Sequence, residues 1–142
     1  MTDPYDLDRF LKAQARDYEW AITEIRNGLK RSHWMWYVFP QLAGLGMSPT
    51  SVRYSIKSRD EASAYLNHPI LGPRLIECCE AALAVEGKSA HDIFGSPDDL
   101  KLRSCATLFA EVAPSQSVFD RVLHRYFRGE RDEKTIGLIY AH

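Results

Sequence analysis

The sequence lacks an excess of charge of either sign: 18 Lys+Arg stand against 19 Asp+Glu, a formal net charge of −1. That balance removes the global basic field of a dedicated nucleic-acid binder and leaves room only for a local patch. Cysteine is scarce. Cys78, Cys79 and Cys105 are odd in number, two of them adjacent, and none stands in a CxxC or Cys/His spacing. The pattern argues against a disulfide framework and a zinc site, and for small buried hydrophobes in a reducing cytoplasm. No stretch approaches the ~18 apolar residues of a membrane span. The opening MTDPYDLDRF is acidic and polar where a secretory signal needs a basic start and an apolar run, so a cytoplasmic location is expected. Phosphate-binding glycine motifs are missing too, since Gly44 and Gly46 lack both a third glycine and a preceding strand. There is no GxSxG elbow, and His33, His68, His91, His124 and His142 show no metal-ligand spacing. No metal and no cofactor are expected.

What remains is an ordinary globular composition, 45% hydrophobic and 26% charged. A chain of 142 residues buries roughly 68–70% of its unfolded surface in one core, so a single domain over 1–142 is expected. The punctuation favours helices. Asp6 is placed to cap a first helix with an apolar line of Leu7, Phe10, Leu11, Tyr18, Ile22 and Ile25, ended by Gly28. Asp8, Arg9, Lys12, Arg16 and Glu24 form its wet face. Gln14 lies on the apolar stripe, where it either satisfies a buried backbone group or faces a pocket. Pro40 ends a dense apolar run at 33–39, and a helical turn is expected near Thr50–Tyr54.

Ser58 with Glu61 reads as a capping box, and Pro69 opens a helix carrying Ile70, Leu71, Leu75, Ile76, Cys79 and Leu83 up to Gly87. Ser89 with Asp92 is a second box before Gly95. Ser96, Pro97 and Asp99 then supply a cap, a proline at N1 and an acid at N3. The helix they open is apolar over much of its circumference, as a central helix must be. Helices over Val118–Phe127 and from Asp132 to Tyr140 complete the chain. The only strand-like stretch, 34–39, does not alternate. One all-α domain of seven or eight helices is predicted.

Two segments could carry chemistry. KRSHWMWYVFPQ, residues 30–41, places Trp34, Trp36, Tyr37 and Phe39 among Lys30, Arg31, His33 and Gln41. Rings that stack, cations that neutralise an anion and an amide that reads an edge suit a planar, anionic ligand. An aromatic plug in the core with basic residues reaching outward explains the same residues. The second segment, FGSPDDLKLRS at 94–104, puts Lys101 on the edge of an apolar line, where it needs a counter-ion or a ligand. Ser96 and Asp99 fit as helix-end residues, and Arg103 lies nearer the side of Leu100 and Ser104.

The resulting expectation is a small-molecule site, possible ground for an enzyme, for a nucleotide-like or phosphate-bearing anion. Lys30, Arg31, Lys101 and Arg103 would hold the anionic group, Trp34 or Trp36 would stack, and Gln41 would read an edge. His33 would be the general acid/base, oriented by Asp98. The alternative is a helical protein-interaction module using the aromatic segment 33–39. A third reading, RNA held by Arg121, Arg125 and Arg128 beside His124, rests only on a charged helix face of the kind usually solvated.

Four stretches also carry a resemblance: LDRFLKAQ at 7–14, KRSHWMWYVFPQLAGLG at 30–46, HPILGPRL at 68–75 and FGSPDDLKLRS at 94–104, followed by TLF at 107–109. Together they resemble the domain-of-unknown-function family 1810 over about residues 6–140. The resemblance implies a small all-α fold and no assigned activity or catalytic residue. Similar sequences sometimes carry the label calpastatin, a long disordered inhibitor built from short binding segments, which a compact aromatic-rich chain does not resemble.

Overall fold

Asp3, rather than Asp6, starts the first helix. The Asp3 carboxylate accepts hydrogen bonds from the backbone N–H of Leu7 (2.8 Å) and Asp8 (3.0 Å), while Asp6 itself sits at a φ of 50°. The cap therefore lies a turn earlier than expected, but the physics is the same: an acid answers unpaired N–H groups at the positive end of a helix. The computed structural model describes residues 2–141, so His142 lies outside the described residues. Among the described residues there are nine helices: α1 (Asp8–Arg26), α2 (Met35–Val38), α3 (Pro49–Arg53), α4 (Arg59–Asn67), α5 (Leu71–Ala84), α6 (Ala90–Phe94), α7 (Asp98–Ala110), α8 (Val118–Phe127) and α9 (Glu133–Ile139). No strand is present among them. One isolated parallel bridge, Leu42 to Ile56, ties the loop before α3 to the loop after it.

Local cap chemistry sets most boundaries. Ser89 and Asp92 form a full reciprocal box, and Ser48, Ser117 and Asp132 each accept an N–H at the start of their helices. Two expected starts are corrected. Ser58 accepts from the N–H of Glu61, but the Glu61 carboxylate turns to Lys57 N and Arg9 instead of closing the box. Ser96 makes no cap. The N-cap of α7 is Pro97, and Asp99 N–H donates to the carbonyl of Gly95. Before α5 it is His68 Nδ1 that accepts from Ile70 and Leu71 N–H.

Helix α7 is the central element, packing on α4, α6, α8 and α9, while α1 lies against α2 and α5. Leu102, Cys105, Ala106, Leu108 and Phe109 are all buried, and one continuous apolar cluster runs from Leu7 to Ile139. Ile70, Ile76 and Leu100 face outward. All three cysteines are free and buried, and burial pushes their thiols up, to about 12 for Cys78. They are packing residues, not nucleophiles.

Two residues of the supposed wet face of α1 are interior. Arg9 and Glu24 are 8% and 7% exposed. Each is surrounded by hydrogen-bond partners, Arg9 by Tyr5, Asp6, Arg53, Ser55 and Glu61, and Glu24 by Arg31, Ser32 and Trp34. Such partners are the condition for burying a charge at all. Gln14 satisfies buried groups: its Nε2 donates to the carbonyl of Tyr37 (2.8 Å) and the hydroxyl of Tyr65 (3.0 Å). No helix among the described residues is long and apolar enough to cross a membrane.

Candidate functional site

The site is built outward from the end of α1. Gly28, at a φ of +72° that favours glycine, reverses the chain so that Leu29 N–H closes on Glu24 O at 3.1 Å. Lys30 N–H then donates to Ile93 O at 2.7 Å, fastening the strand-like passage to α6. The Glu24 carboxylate gathers residues 31–34 around itself. Its Oε1 accepts from Arg31 N–H (2.8 Å), Ser32 N–H (3.0 Å) and Trp34 Nε1 (2.9 Å), and its Oε2 accepts from Ser32 Oγ (2.6 Å). Burial alone would raise this carboxyl. The hydrogen bonds from Ser32, Arg31 and Trp34 outweigh it and hold the group down at about 2.

The turn so formed aims Lys30 back across the front of α7. Lys30 Nζ lies 2.8 Å from Asp98 Oδ2, and Lys101 Nζ lies 2.9 Å from Asp98 Oδ1. One aspartate thus bridges two lysines. Asp98 feels burial as an upward push, but the two ammonium groups prevail and hold its carboxyl below the usual range. Each lysine also faces an indole: Lys30 Nζ is 5.0 Å from the ring centre of Trp34, and Lys101 Nζ is 4.3 Å from that of Trp36. A cavity of about 280 Å³ opens here, lined by Lys30, His33, Trp34, Trp36, Asp98 and Lys101 among others.

The arithmetic of donors matters. An ammonium has three. Lys30 gives one to Asp98 and one to the carbonyl of Ser32 at 2.5 Å, which leaves one. Lys101 gives one to Asp98, which leaves two among the described residues. The cluster carries a net charge of +1 in a half-dry setting, where a charge contact at ~4 Å is worth about 4 kcal/mol at an effective dielectric near 20. The arrangement suits a small anion.

The aromatic segment divides between core and cavity. Trp34, Tyr37 and Phe39 are 1%, 5% and 0% exposed, and Trp34 and Phe39 pack on Phe94. Tyr37 donates its hydroxyl to Asp17. Only Trp36 is half-buried, standing as a wall. Its ring rests on the backbone of Gly46: a Cβ there would lie 2.9 Å from Trp36 Cη2 and 2.7 Å from Ser51 Oγ. Gly46→Ala is therefore expected to push the indole aside and cost about 1–3 kcal/mol, read by urea unfolding and a shift in tryptophan emission.

Of the residues expected at the site, Lys30, His33, Trp34, Trp36, Asp98 and Lys101 meet around this cavity. Three do not. Arg31 is exposed and contributes its backbone N–H to Glu24. Arg103 spends its guanidinium on the carbonyls of Glu130 (3.1 Å) and Arg131 (2.8 Å), a tie between α7 and the loop before α9. Gln41 lies in a neighbouring cavity, on which Trp36 also borders. Asp98 faces Lys30 and Lys101, and neither a hydrogen bond nor an ion pair joins it to the His33 imidazole among the described residues, so it does not orient that ring as expected. His33 is exposed, at the rim between this cavity and a second hollow bordered by Trp20. On α8, Arg121 faces Glu80 at 3.6 Å and Arg125 donates to Val85 O.

The family model described as "Protein of unknown function (DUF1810)" matches residues 4–139. The chain belongs to this family. A solved structure, that of the conserved hypothetical protein Rv1873 from Mycobacterium tuberculosis, is 52% identical, with a TM-score of 0.95 over 96% of this chain and 98% of that one. Comparison with curated proteins gives no match. The all-α fold expected of DUF1810 is the one observed.

Proposed function

We propose that this DUF1810 protein is a cytoplasmic, small-molecule-binding domain for a phosphate-bearing, nucleotide-like anion. The observation that carries the reading is the Lys30–Asp98–Lys101 cluster opening on a cavity walled by two indoles. Its three uncommitted ammonium donors match the oxygens of a phosphate. Trp36 offers a ring face beside them, as a planar group requires. His33 is the titratable side chain at the rim and the group on which any reaction would rest. The three buried free thiols favour the reducing compartment.

The alternative of a helical interaction module needs the 33–39 aromatics at the surface, and most of them are interior. The α8 arginines, one facing Glu80 and another engaged with a backbone carbonyl, give an RNA reading little support.

A thermal-shift panel of inorganic phosphate, pyrophosphate, nucleotides, ADP-ribose and sugar phosphates tests the reading. A ligand at 100 times its Kd stabilises by about 2.7 kcal/mol. The expected result is a shift in the wild type that disappears in Lys101→Ala. His33→Ala, altering an exposed side chain, should fold within about 1 kcal/mol of the wild type and lose any turnover. No shift with any of these anions overturns the proposal.

A further inference from the structure

Trp36 also borders a second cavity, of about 270 Å³, lined in part by Ser51, Val52 and Ser55. Its lining includes one unexplained group. Gln41 is 4% exposed, and its Nε2 is buried with no hydrogen-bond partner. The other polar side chains there are committed: Ser51 Oγ donates to Ser48 O, Ser55 Oγ donates to Val52 O, and Lys57 Nζ donates to Ser55. The backbone carbonyl of Gln41 is committed too, accepting from Ile56 N–H at 2.8 Å. That bond holds the residue in place without answering its amide. A buried donor without an acceptor is costly and rare, and it is found where something else completes it.

Three features say what would complete it. The unmatched group is a donor, so its partner is an acceptor. The lining around it is mainly aliphatic and indole apart from Lys57, whose ammonium donates to Ser55, and a neutral amide donor calls for no charge on its acceptor, so an uncharged partner suffices. The indole that walls this cavity is the same one that Lys101 covers from the anion cavity. Trp36 thus borders both cavities, and a ligand anchored by its phosphate at Lys30 and Lys101 would extend past this one ring to meet Gln41, with Gly46 lying against the ring's edge.

We propose that the Gln41 cavity is the second half of the site, taking the planar, uncharged head of the ligand through a ring nitrogen or carbonyl that accepts from Gln41 Nε2. The inference rests on the anion reading for the other end of the ligand. It makes the specificity of the domain a matter of the head group, with Trp36 as the divider between the two ends.

The test separates the two halves. Binding of inorganic pyrophosphate, the four ribonucleoside 5′-monophosphates and the four matching nucleosides is measured by calorimetry on wild type and Gln41→Met. The side-chain amide resonance of Gln41 is followed by NMR in the wild type alone, so a poorly folding variant does not stop the experiment. At least one monophosphate should bind ten-fold or more tightly than pyrophosphate and move the Gln41 amide signal. Gln41→Met should erase that preference while leaving pyrophosphate affinity within about two-fold. Nucleoside binding that depends on Gln41, with no binding of pyrophosphate, would uphold this subsite and overturn the anion reading. A preference unchanged in Gln41→Met, or an amide signal that no nucleotide or nucleoside moves, overturns the subsite and leaves water as the partner of the amide.

Discussion

Replacing Glu24 by alanine should cost this protein about 3 kcal/mol and close its candidate site at the same time. The side chain gathers four donors, two backbone N–H groups, the Ser32 hydroxyl and the Trp34 indole. Stranding buried donors costs about 1–3 kcal/mol each where water cannot replace the acceptor, and partial access for water near Ser32 keeps the total well below the sum. Glu24→Gln is the informative companion. Its carbonyl oxygen can take over the three bonds made by Oε1, so it should cost only about 1 kcal/mol at neutral pH.

The two variants also differ in pH dependence. The Glu24 carboxyl is held at about 2, below its ordinary 4.5. For a depressed acid the unfolded chain takes up the proton first as pH falls. The stabilisation is complete above about 4.5 and drains away toward about 2. Urea midpoints measured from pH 6 to pH 2.5 should fall more steeply in the wild type than in Glu24→Gln. Parallel curves for the two would show that Glu24 does not titrate with folding.

Glu24 also shows where sequence reasoning stops. Several helix ends were legible because caps and left-handed glycines act within four residues: Ser89 with Asp92, Asp132 and Gly28 act where expected, whereas Asp3 replaces Asp6 before α1 and Ser96 makes no cap for α7. Lys101 was legible in part, since a lysine on an apolar line demands a partner and Asp98 stands one turn away. Glu24 had a weaker signature. An acid in the last turn of a helix opposes the helix dipole and so needs another reason to be there. Trp34, ten residues on, needed an acceptor for its indole N–H. Those two needs answer each other, but only after Gly28 turns the chain. The separation of Gln41 from the other site residues had no signature at all, because it depends on where Trp36 stands between them. The short α2 and α3 were visible as an apolar run and a turn. The burial of α2 comes from its contact with α1, and Gly46 stands against Trp36 of α2 and Ser51, the buried residue of α3; neither follows from the periodicity of these short elements.

Arg9→Met should be the most damaging single change, at about 3–5 kcal/mol. Every donor of the guanidinium is spent: Nε on Arg53 O (2.8 Å), Nη1 on Tyr5 O and Asp6 O (2.6 Å each), and Nη2 on Ser55 O (2.9 Å) and Glu61 Oε2 (2.7 Å). One side chain thereby closes the N-terminal turn, ends α3 and seats α4. The methionine keeps the apolar stem but leaves the Glu61 carboxylate, 2% exposed, without its cation. Removing one partner of a buried pair costs more than removing the charge of both. Glu61→Gln should therefore destabilise the wild type yet stabilise the Arg9→Met protein, since the amide oxygen still accepts from Lys57 N–H and no buried charge remains. That reversal of sign, read from urea midpoints of the four proteins, isolates the pair from general loss of packing; effects of one sign in both backgrounds would place the stability in the carbonyl contacts instead. The consequence reaches the site, because the Arg53–Ser55 stretch that Arg9 holds includes Ser55, part of the lining of the Gln41 cavity. In Arg9→Met, discrimination between head groups should weaken while the Lys30–Asp98–Lys101 cluster, held by Glu24 and α7, keeps its grip on inorganic anions.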